Sequence, residues 1–417
     1  MNDIQFCKRC LYTTSHPLGL TIDSSGICSG CRIHEEKYTL DWFDRFNKLK
    51  TLVQPYRSRS GINYDCVIPV TGGQDSYYTV FVAKELLGLN PLLVHYNKYF
   101  NTSLGIRNLA NLRINFNVDI LFQNVNIHSV KNITRTTLNE FGSIYWPALA
   151  GHTVFPVQTA VRYKIPLIIW GAHQGLEQVG MFSHENEVEM TRRYRKDHDL
   201  LGYEADDLLS IFNTLKEEDI WQYRYPEDSE LNFIGVRGIY LGNYISWDPK
   251  TQHERMINGY NYATSKLART FDTYDFIDCF NYMNLHDRLK LFKHGFSKVT
   301  DHATREIRHG RMTRQQGLSL VYQYEQVSPE YSALFRDWLG ITPRALQFLM
   351  NQFRNPNYWI QNEFESYSFN GLSLQQGVYC ERFTDDNPEF STDYIVTNDE
   401  LSSQSESYIT FGKGWPE

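Results

Sequence analysis

The 417-residue chain contains no apolar run long enough to cross a bilayer, which takes about 20 consecutive apolar residues in a helix. It also lacks a leader-like start. Met1 to Gln5 is polar and Phe6-Cys7-Lys8-Arg9-Cys10 follows, so a cytoplasmic location without a membrane segment is expected. Basic residues are in deficit: 41 Lys and Arg against 48 Asp and Glu, a formal net charge of −7. A protein that grips a nucleic-acid backbone usually carries the opposite balance, so no nucleic-acid partner is expected. Two common nucleotide signatures are missing as well. No Gly-Lys-Ser/Thr closes a Walker loop, and no Gly-x-Gly-x-x-Gly opens a dinucleotide fold.

What is present suffices for a globular core, with 41% hydrophobic and 21% charged residues. The length suggests about two or three domains. Aromatics are plentiful at 15%, with 28 Tyr, and scattered Tyr is mostly packing.

Cysteines are few, and four of the seven are paired. Cys7 and Cys10 form one C-x-x-C and Cys28 and Cys31 another, 17 residues apart. Two such pairs suit a tetrahedral Zn²⁺ site, and four thiolates leave no open position, so its role is expected to be structural. An iron–sulfur cluster is the alternative. Cys66, Cys279 and Cys380 are isolated.

The stretch Val67 to Ser76 organises the rest. An apolar run leads into Thr71-Gly72-Gly73-Gln74-Asp75-Ser76, and Val80, Ala83, Leu86 and Leu87 then follow at helical spacing. Strand, glycine loop and helix N-terminus can present backbone N–H groups and a helix dipole to phosphate. An ordinary βα turn with two glycines is the plainer reading. The string resembles the PP-loop, Ser-Gly-Gly-x-Asp-Ser, of ATP pyrophosphatases. Thr71 replaces the usual Ser, and Gln74 stands where Lys is frequent, which removes one phosphate contact.

Around this loop the pattern alternates. Trp42, Phe46, Leu49 and Val53 make one helical stripe within an expected helix over 35–56. Strands are expected at 65–70, 91–96, 118–122 and 166–170, with helices at 75–87, 104–116, 125–140 and 154–163. Short apolar strands alternating with helices predict an α/β fold with a doubly wound parallel sheet. Its ligand rim should lie at the strand ends. That rim collects Val70, Thr71, Gly72, Gly73, Gln74, Asp75 and Ser76 with Tyr96, Asn97 and Lys98, and with Gly171 and His173. His95 and Tyr96 read equally well as sheet residues.

The expected organisation is a zinc module at 1–34, a linking helix at 35–63, a PP-loop domain at 64–180, a mainly helical substrate or lid region at 181–360, and a polar tail at 361–417. The charged stretch 177–221 reads as solvated helices or a lid. Residues 232–247 read as strand or loop near the site, and 249–271 and 334–359 as helix. Within 284–323 lies the run Asp301 to Arg314, with Asp301, His302, Arg308, His309 and Arg311. It is either a charged surface helix or a cationic wall for an anionic substrate.

The four cysteines, a helix and a PP-loop domain, in that order, resemble the N-acetyl sugar amidotransferases of bacterial surface-polysaccharide and nonulosonic-acid pathways. The resemblance runs through Cys7–Cys10, Cys28–Cys31, 65–76, 90–94, 166–171 and 301–314, and ends near 325. It implies conversion of an acetamido group to acetamidino on a legionaminic or pseudaminic acid or a related nucleotide sugar. An amide oxygen leaves poorly, so AMP transfer from ATP would activate it and release pyrophosphate, and ammonia would then displace AMP. In this reading Gly72, Gly73 and Ser76 cradle phosphate, Asp75 orients Mg²⁺, and the cluster at His302, Arg308, His309 and Arg311 faces the sugar. The competing reading is a PP-loop tRNA-modifying enzyme, such as a thiolase. It would call for a reactive cysteine, and the catalytic domain offers only Cys66.

Ammonia has to come from somewhere. A glutaminase needs a nucleophilic cysteine at the mature N-terminus or on a strained turn near a His. The start Met1-Asn2-Asp3 and the settings of Cys66, Cys279 and Cys380 show neither. A separate glutaminase is therefore expected. The resemblance implies one like the subunit pair of imidazole glycerol phosphate synthase.

Overall fold

The computed structural model describes residues 4–279, 282–329, 332–363, 366–369, 392–398, 409–410 and 413–414. Helix α1 (Ser29–Glu36) starts on the second cysteine pair, where the Cys28 sulfur accepts from the Cys31 amide. Helix α2 (Trp42–Val53) follows after a break. The expected single helix over 35–56 is two, because the Asp41 carboxylate accepts from the Phe43 and Asp44 amides and restarts the turn. Leu49 and Val53 of the predicted stripe are fully buried.

The doubly wound region then unfolds in order: β1 (Cys66–Pro69), α3 (Gln74–Phe81), β2 (Pro91–Tyr96), α4 (Ser103–Phe116), β3 (Asp119–Gln123), α5 (Ile127–Phe141), α6 (Trp146–Tyr163), β4 (Leu167–Trp170), α7 (Gln174–Glu177) and β5 (Arg237–Tyr240). The sheet order is β3-β2-β1-β4-β5, and every pairing is parallel. In β1, Val67 sits opposite both Leu92 and Ile168. Successive side chains of β1 enter different cores. Val67 joins the one built on α5 and α6, while Cys66, Ile68 and Val70 join the one under α2, α3 and α4. Both faces are thus covered, as a parallel sheet requires. Burying each such aliphatic side chain contributes roughly 1.5–3 kcal/mol.

Several expectations are corrected. The sheet does not end at residue 180, since β5 comes from 237–240 within the region expected to be mainly helical. Helix α6 begins at Trp146, not near 154. Pro147 is tolerated in its first turn, and Gly151 hid the pattern. That glycine is needed, because a Cβ there would lie 2.2 Å from the Tyr96 ring. Residues 261–271 are not helical, because Asn261 ends the helix Pro249–Tyr260 in the left-handed conformation. Trp359–Glu363 is a strand paired with Ser366–Phe369. In the charged stretch, Arg195 is buried and paired with Glu204 at 2.6 Å, so it is not a solvated face.

Most of the 361–417 tail, with Cys380, lies outside the described residues. One piece of it has a place: the Ile395 carbonyl accepts from Thr264 Oγ1 and Thr273 Oγ1 at 2.7 and 2.9 Å. Among the described residues, no helix is long and apolar enough to cross a membrane.

Candidate active site

The strand order reverses at β1, which has β2 on one side and β4 on the other. A crevice opens beyond their carboxyl ends, where such sheets bind ligands. The chain leaves β1 through Thr71 and enters α3 with Gly73 as N-cap. The hydroxyls hold the loop: Ser76 Oγ accepts from the Thr71 amide at 3.0 Å, and Thr71 Oγ1 from the Gly73 amide at 3.1 Å. Gly72 has φ +83°, and a Cβ there would meet the Gly105 carbonyl at 2.6 Å. Its glycine is required by α4 behind the loop.

A cavity of ≈ 310 Å³ fills the crevice. Val70, Thr71, Gly73, Gln74, Asp75, Ser76, Tyr96 and Gly171 line it, while Gly72, expected with them, faces α4 and does not. Nor does Asn97. Its amide is fully buried, donating to Asn124 and accepting from the Tyr99 amide and Asn101. The far wall also holds buried polar atoms without partners, His152 Nε2 and Trp170 Nε1, which fit a polar ligand.

Lys98, which the expected rim included, lines the cavity, and Asp275 and Asp278, which the sequence reading missed, complete it. Lys98 pairs with Asp278, both almost fully buried. Asp275 accepts from Gln74 Nε2 on one oxygen and bonds His302 Nε2 at 2.9 Å on the other. Burial works against the ionised Asp275, but Lys298 and His302 outweigh it and hold the carboxyl well below the usual range. Asp75 Oδ1 meets His253 Nε2 at 3.0 Å, while its carboxylate stays half exposed. The three-residue spacing of Asp272, Asp275 and Asp278 was visible in the sequence; nothing flagged His253.

A second cavity, ≈ 150 Å³, adjoins the first through Asp75, Gln174, Asp275 and Phe276. Asp301, His302, Arg308 and His309 line it, together with Tyr12 and His34 of the cysteine module. These groups are largely engaged already. Asp301 holds Tyr12 and Lys290 at 2.9 and 2.6 Å, and His302 uses both ring nitrogens, on Thr270 and Asp275. Burial keeps His309 down at about 4, hence neutral at pH 7. Arg311 lies outside the cavity lining and is taken by Asp248 and Glu306. The basic run is therefore an internally paired, mostly buried helix and not the free cationic wall the sequence suggested. His173 is also apart. It is buried among the rings of Phe182, Tyr194 and Tyr240 and lines neither cavity.

The four cysteines converge with all sulfurs within 4.8 Å of one another. Cys10 and Cys28 sulfurs are 3.5 Å apart and those of Cys7 and Cys31 4.0 Å. A disulfide would need about 2.0 Å. Four Zn–S bonds of about 2.3 Å in a tetrahedron set sulfur separations near 3.8 Å. The buried Arg308 guanidinium lies 3.6 and 3.9 Å from the Cys28 and Cys10 sulfurs. A cation buried there needs negative charge, which four thiolates on a metal would supply. No cysteine lines either cavity, and burial pushes the Cys66 thiol up, so neither cavity presents the reactive thiol a thiolase reading calls for.

The strand–loop–helix at Thr71–Ser76, the switch-point crevice and the parallel sheet define an α/β protein with a PP-loop-like turn, with a four-cysteine cluster at its amino end. Residues 268–372 match the family model described as LPS biosynthesis protein WbpG-like, C-terminal domain. That segment delivers Asp275, Phe276, Asp278 and Tyr282 to the first cavity, and Lys298 through His309 to the second. An uncharacterized protein of Methanocaldococcus jannaschii is 26% identical over 121 residues, 28% of this chain and 42% of that protein, so the match spans less than half of its length. Among solved structures, NMN synthetase from Francisella tularensis aligns over 55% of this chain and 98% of its own, at 16% identity and TM-score 0.28. NH3-dependent NAD synthetase from Campylobacter jejuni aligns over 47% and 92%, at 13% and 0.27.

Proposed function

We propose that this chain is an ATP-dependent amidotransferase of lipopolysaccharide biosynthesis that converts an acetamido group on a sugar to acetamidino. The observation that carries the reading is the entry of Asp275 and Asp278, from the WbpG-like segment, into the PP-loop cavity. The nucleotide site and the family-matched segment then form one active centre.

ATP would lie in the larger cavity, with its phosphates on the Thr71–Ser76 loop and the α3 N-terminus. The acetamido sugar, of the legionaminic or pseudaminic acid type or nucleotide-linked, would approach from the smaller cavity. The two meet at Asp75, Gln174, Asp275 and Phe276. The amide oxygen attacks the α-phosphorus and pyrophosphate leaves. Ammonia then adds to the imidate carbon, AMP leaves, and the amidine remains. The protein contributes position and charge stabilisation. Mg²⁺ held through Asp75 would neutralise pyrophosphate oxygens. His253 fixes that carboxylate from behind.

Zinc, at Cys7, Cys10, Cys28 and Cys31, would hold the module that supplies Tyr12 and His34 to the acceptor cavity. The donor set fits zinc, because four buried thiolates with a compensating guanidinium suit a soft, closed tetrahedral site. Ammonia would come from a separate glutaminase, and the enzyme would act in the cytoplasm. The test is a panel of acetamido sugars with ATP, Mg²⁺ and ammonium, read by mass spectrometry. Amidine formation with matching AMP supports the reading; no product from any acetamido sugar counts against it.

A further inference from the structure

The loop lacks the basic residue that often contacts phosphate in PP-loops, because position 74 is Gln. Gln74 itself is turned to Asp275. The cavity it borders is acidic, lined by Asp75, Asp275 and Asp278. His152 does not offset them, since burial pushes it well below its ordinary value and leaves it neutral. Lys98 is the one Lys or Arg among the described residues lining this cavity.

Its position is specific. Lys98 lies two residues past β2, the strand beside β1, so the sheet carries its side chain to the rim next to the loop. Its ammonium is held by Asp278, and both side chains are 2–3% exposed. Asp278 in turn leans on the loop: a Cβ on Gly73 would lie 3.6 Å from its Oδ1. The backbone at Asp278 is fixed against α4, where a Cβ on Gly105 would come within 2.6 Å of it, and the Thr102 hydroxyl donates to the neighbouring Ile277 carbonyl at 2.5 Å. Burial works against the charged ammonium, but Asp278 outweighs it and keeps Lys98 protonated.

We propose that Lys98 is the phosphate-contacting cation of this nucleotide site, replacing from β2 the basic residue absent at position 74, with Asp278 holding it beside the loop until the polyphosphate arrives. A buried ion pair is weak evidence for a stability role, since its desolvation cost can match its attraction. One that borders a phosphate loop and a void holds a charge in reserve. A phosphate oxygen would then share or replace Asp278 as the partner of the ammonium in a charge-assisted hydrogen bond. The inference rests on the nucleotide-site reading above.

The test measures calorimetric binding of inorganic pyrophosphate with Mg²⁺, and separately of adenosine, to the full chain. Wild type should bind both. Lys98→Met should weaken pyrophosphate at least tenfold while adenosine stays within twofold. Because that variant strands a buried carboxylate, Lys98→Met/Asp278→Leu removes both charges, and it should still show the selective pyrophosphate loss. Gln74→Lys in the Lys98→Met background should recover part of the affinity. Pyrophosphate affinity within twofold of wild type in Lys98→Met, its recovery in the double variant, or parallel loss of both ligands would overturn the assignment. Wild type that binds neither ligand would overturn the nucleotide-site reading together with this one.

Discussion

Arg308 brings its guanidinium within 3.6 Å of the Cys28 sulfur, from a helix 280 residues further along the chain. It also donates to the Glu177 and Gln178 carbonyls at 2.9 and 2.8 Å. Burial opposes its charge, and the Cys10, Cys31 and Cys28 thiolates outweigh that. The cysteine cluster, the end of α7 and the WbpG-like segment thus meet at one side chain. Elemental analysis of protein purified without added metal should find one zinc per chain. Cys28→Ser should lose metal and soluble yield together, because structural zinc contributes folding free energy. Metal-free chain with wild-type stability and neither zinc nor iron would count against the site.

Asp75→Ala should abolish turnover while the melting temperature holds. The Asp75 side chain is half exposed, so its removal opens no cavity and costs the buried His253 ring one hydrogen-bond partner. His253→Ala should raise the Mg²⁺ concentration needed for half-maximal rate several-fold. An unchanged rate in Asp75→Ala would remove the loop from the chemistry.

Glu325 is buried and is pushed up to about 7, first by burial and then by Asp287. An acid raised on folding is the reverse of the usual carboxylate. Its penalty is absent below the unfolded value near 4.5, grows as pH rises, and is complete above about 7. Wild type should therefore lose on the order of 3 kcal/mol more stability than Glu325→Gln between pH 4 and pH 8. Parallel denaturation midpoints for the two proteins over that range would contradict this.

The four-cysteine cluster, the loop and the first four strands were legible because each rests on local pattern: paired spacing, a short polar string after an apolar run, and period. Strand β5 was legible only as strand or loop within 232–247, since Arg237-Gly238-Ile239-Tyr240 is short and joins this sheet only through its register with Leu167–Trp170. The charged run 301–314 signalled a cationic surface, yet its partners Asp248, Asp272 and Asp275 lie far away in sequence. Lys98 could be placed on the rim because it follows a strand end, but His253 and Asp278 reach the site from other, distant elements, and no spacing along the chain announces their meeting.

On the proposed reading, ammonia supply would separate this chain from a self-sufficient glutamine-dependent enzyme. Among the described residues, every cysteine is buried and four belong to the cluster. The purified protein should make amidine from concentrated ammonium chloride at mildly alkaline pH, where more free ammonia exists. It should fail with glutamine alone. Efficient glutamine-dependent turnover by the contaminant-free chain would mean that it carries its own glutaminase.

The central claim is cleavage of ATP between the α- and β-phosphates at the Thr71–Ser76 loop. The direct measurement separates nucleotide products by chromatography during turnover with an acetamido sugar, Mg²⁺ and ammonium. The account predicts AMP and pyrophosphate, each equal to the amidine formed and both lost in Asp75→Ala. ADP and inorganic phosphate as the stoichiometric products would contradict it.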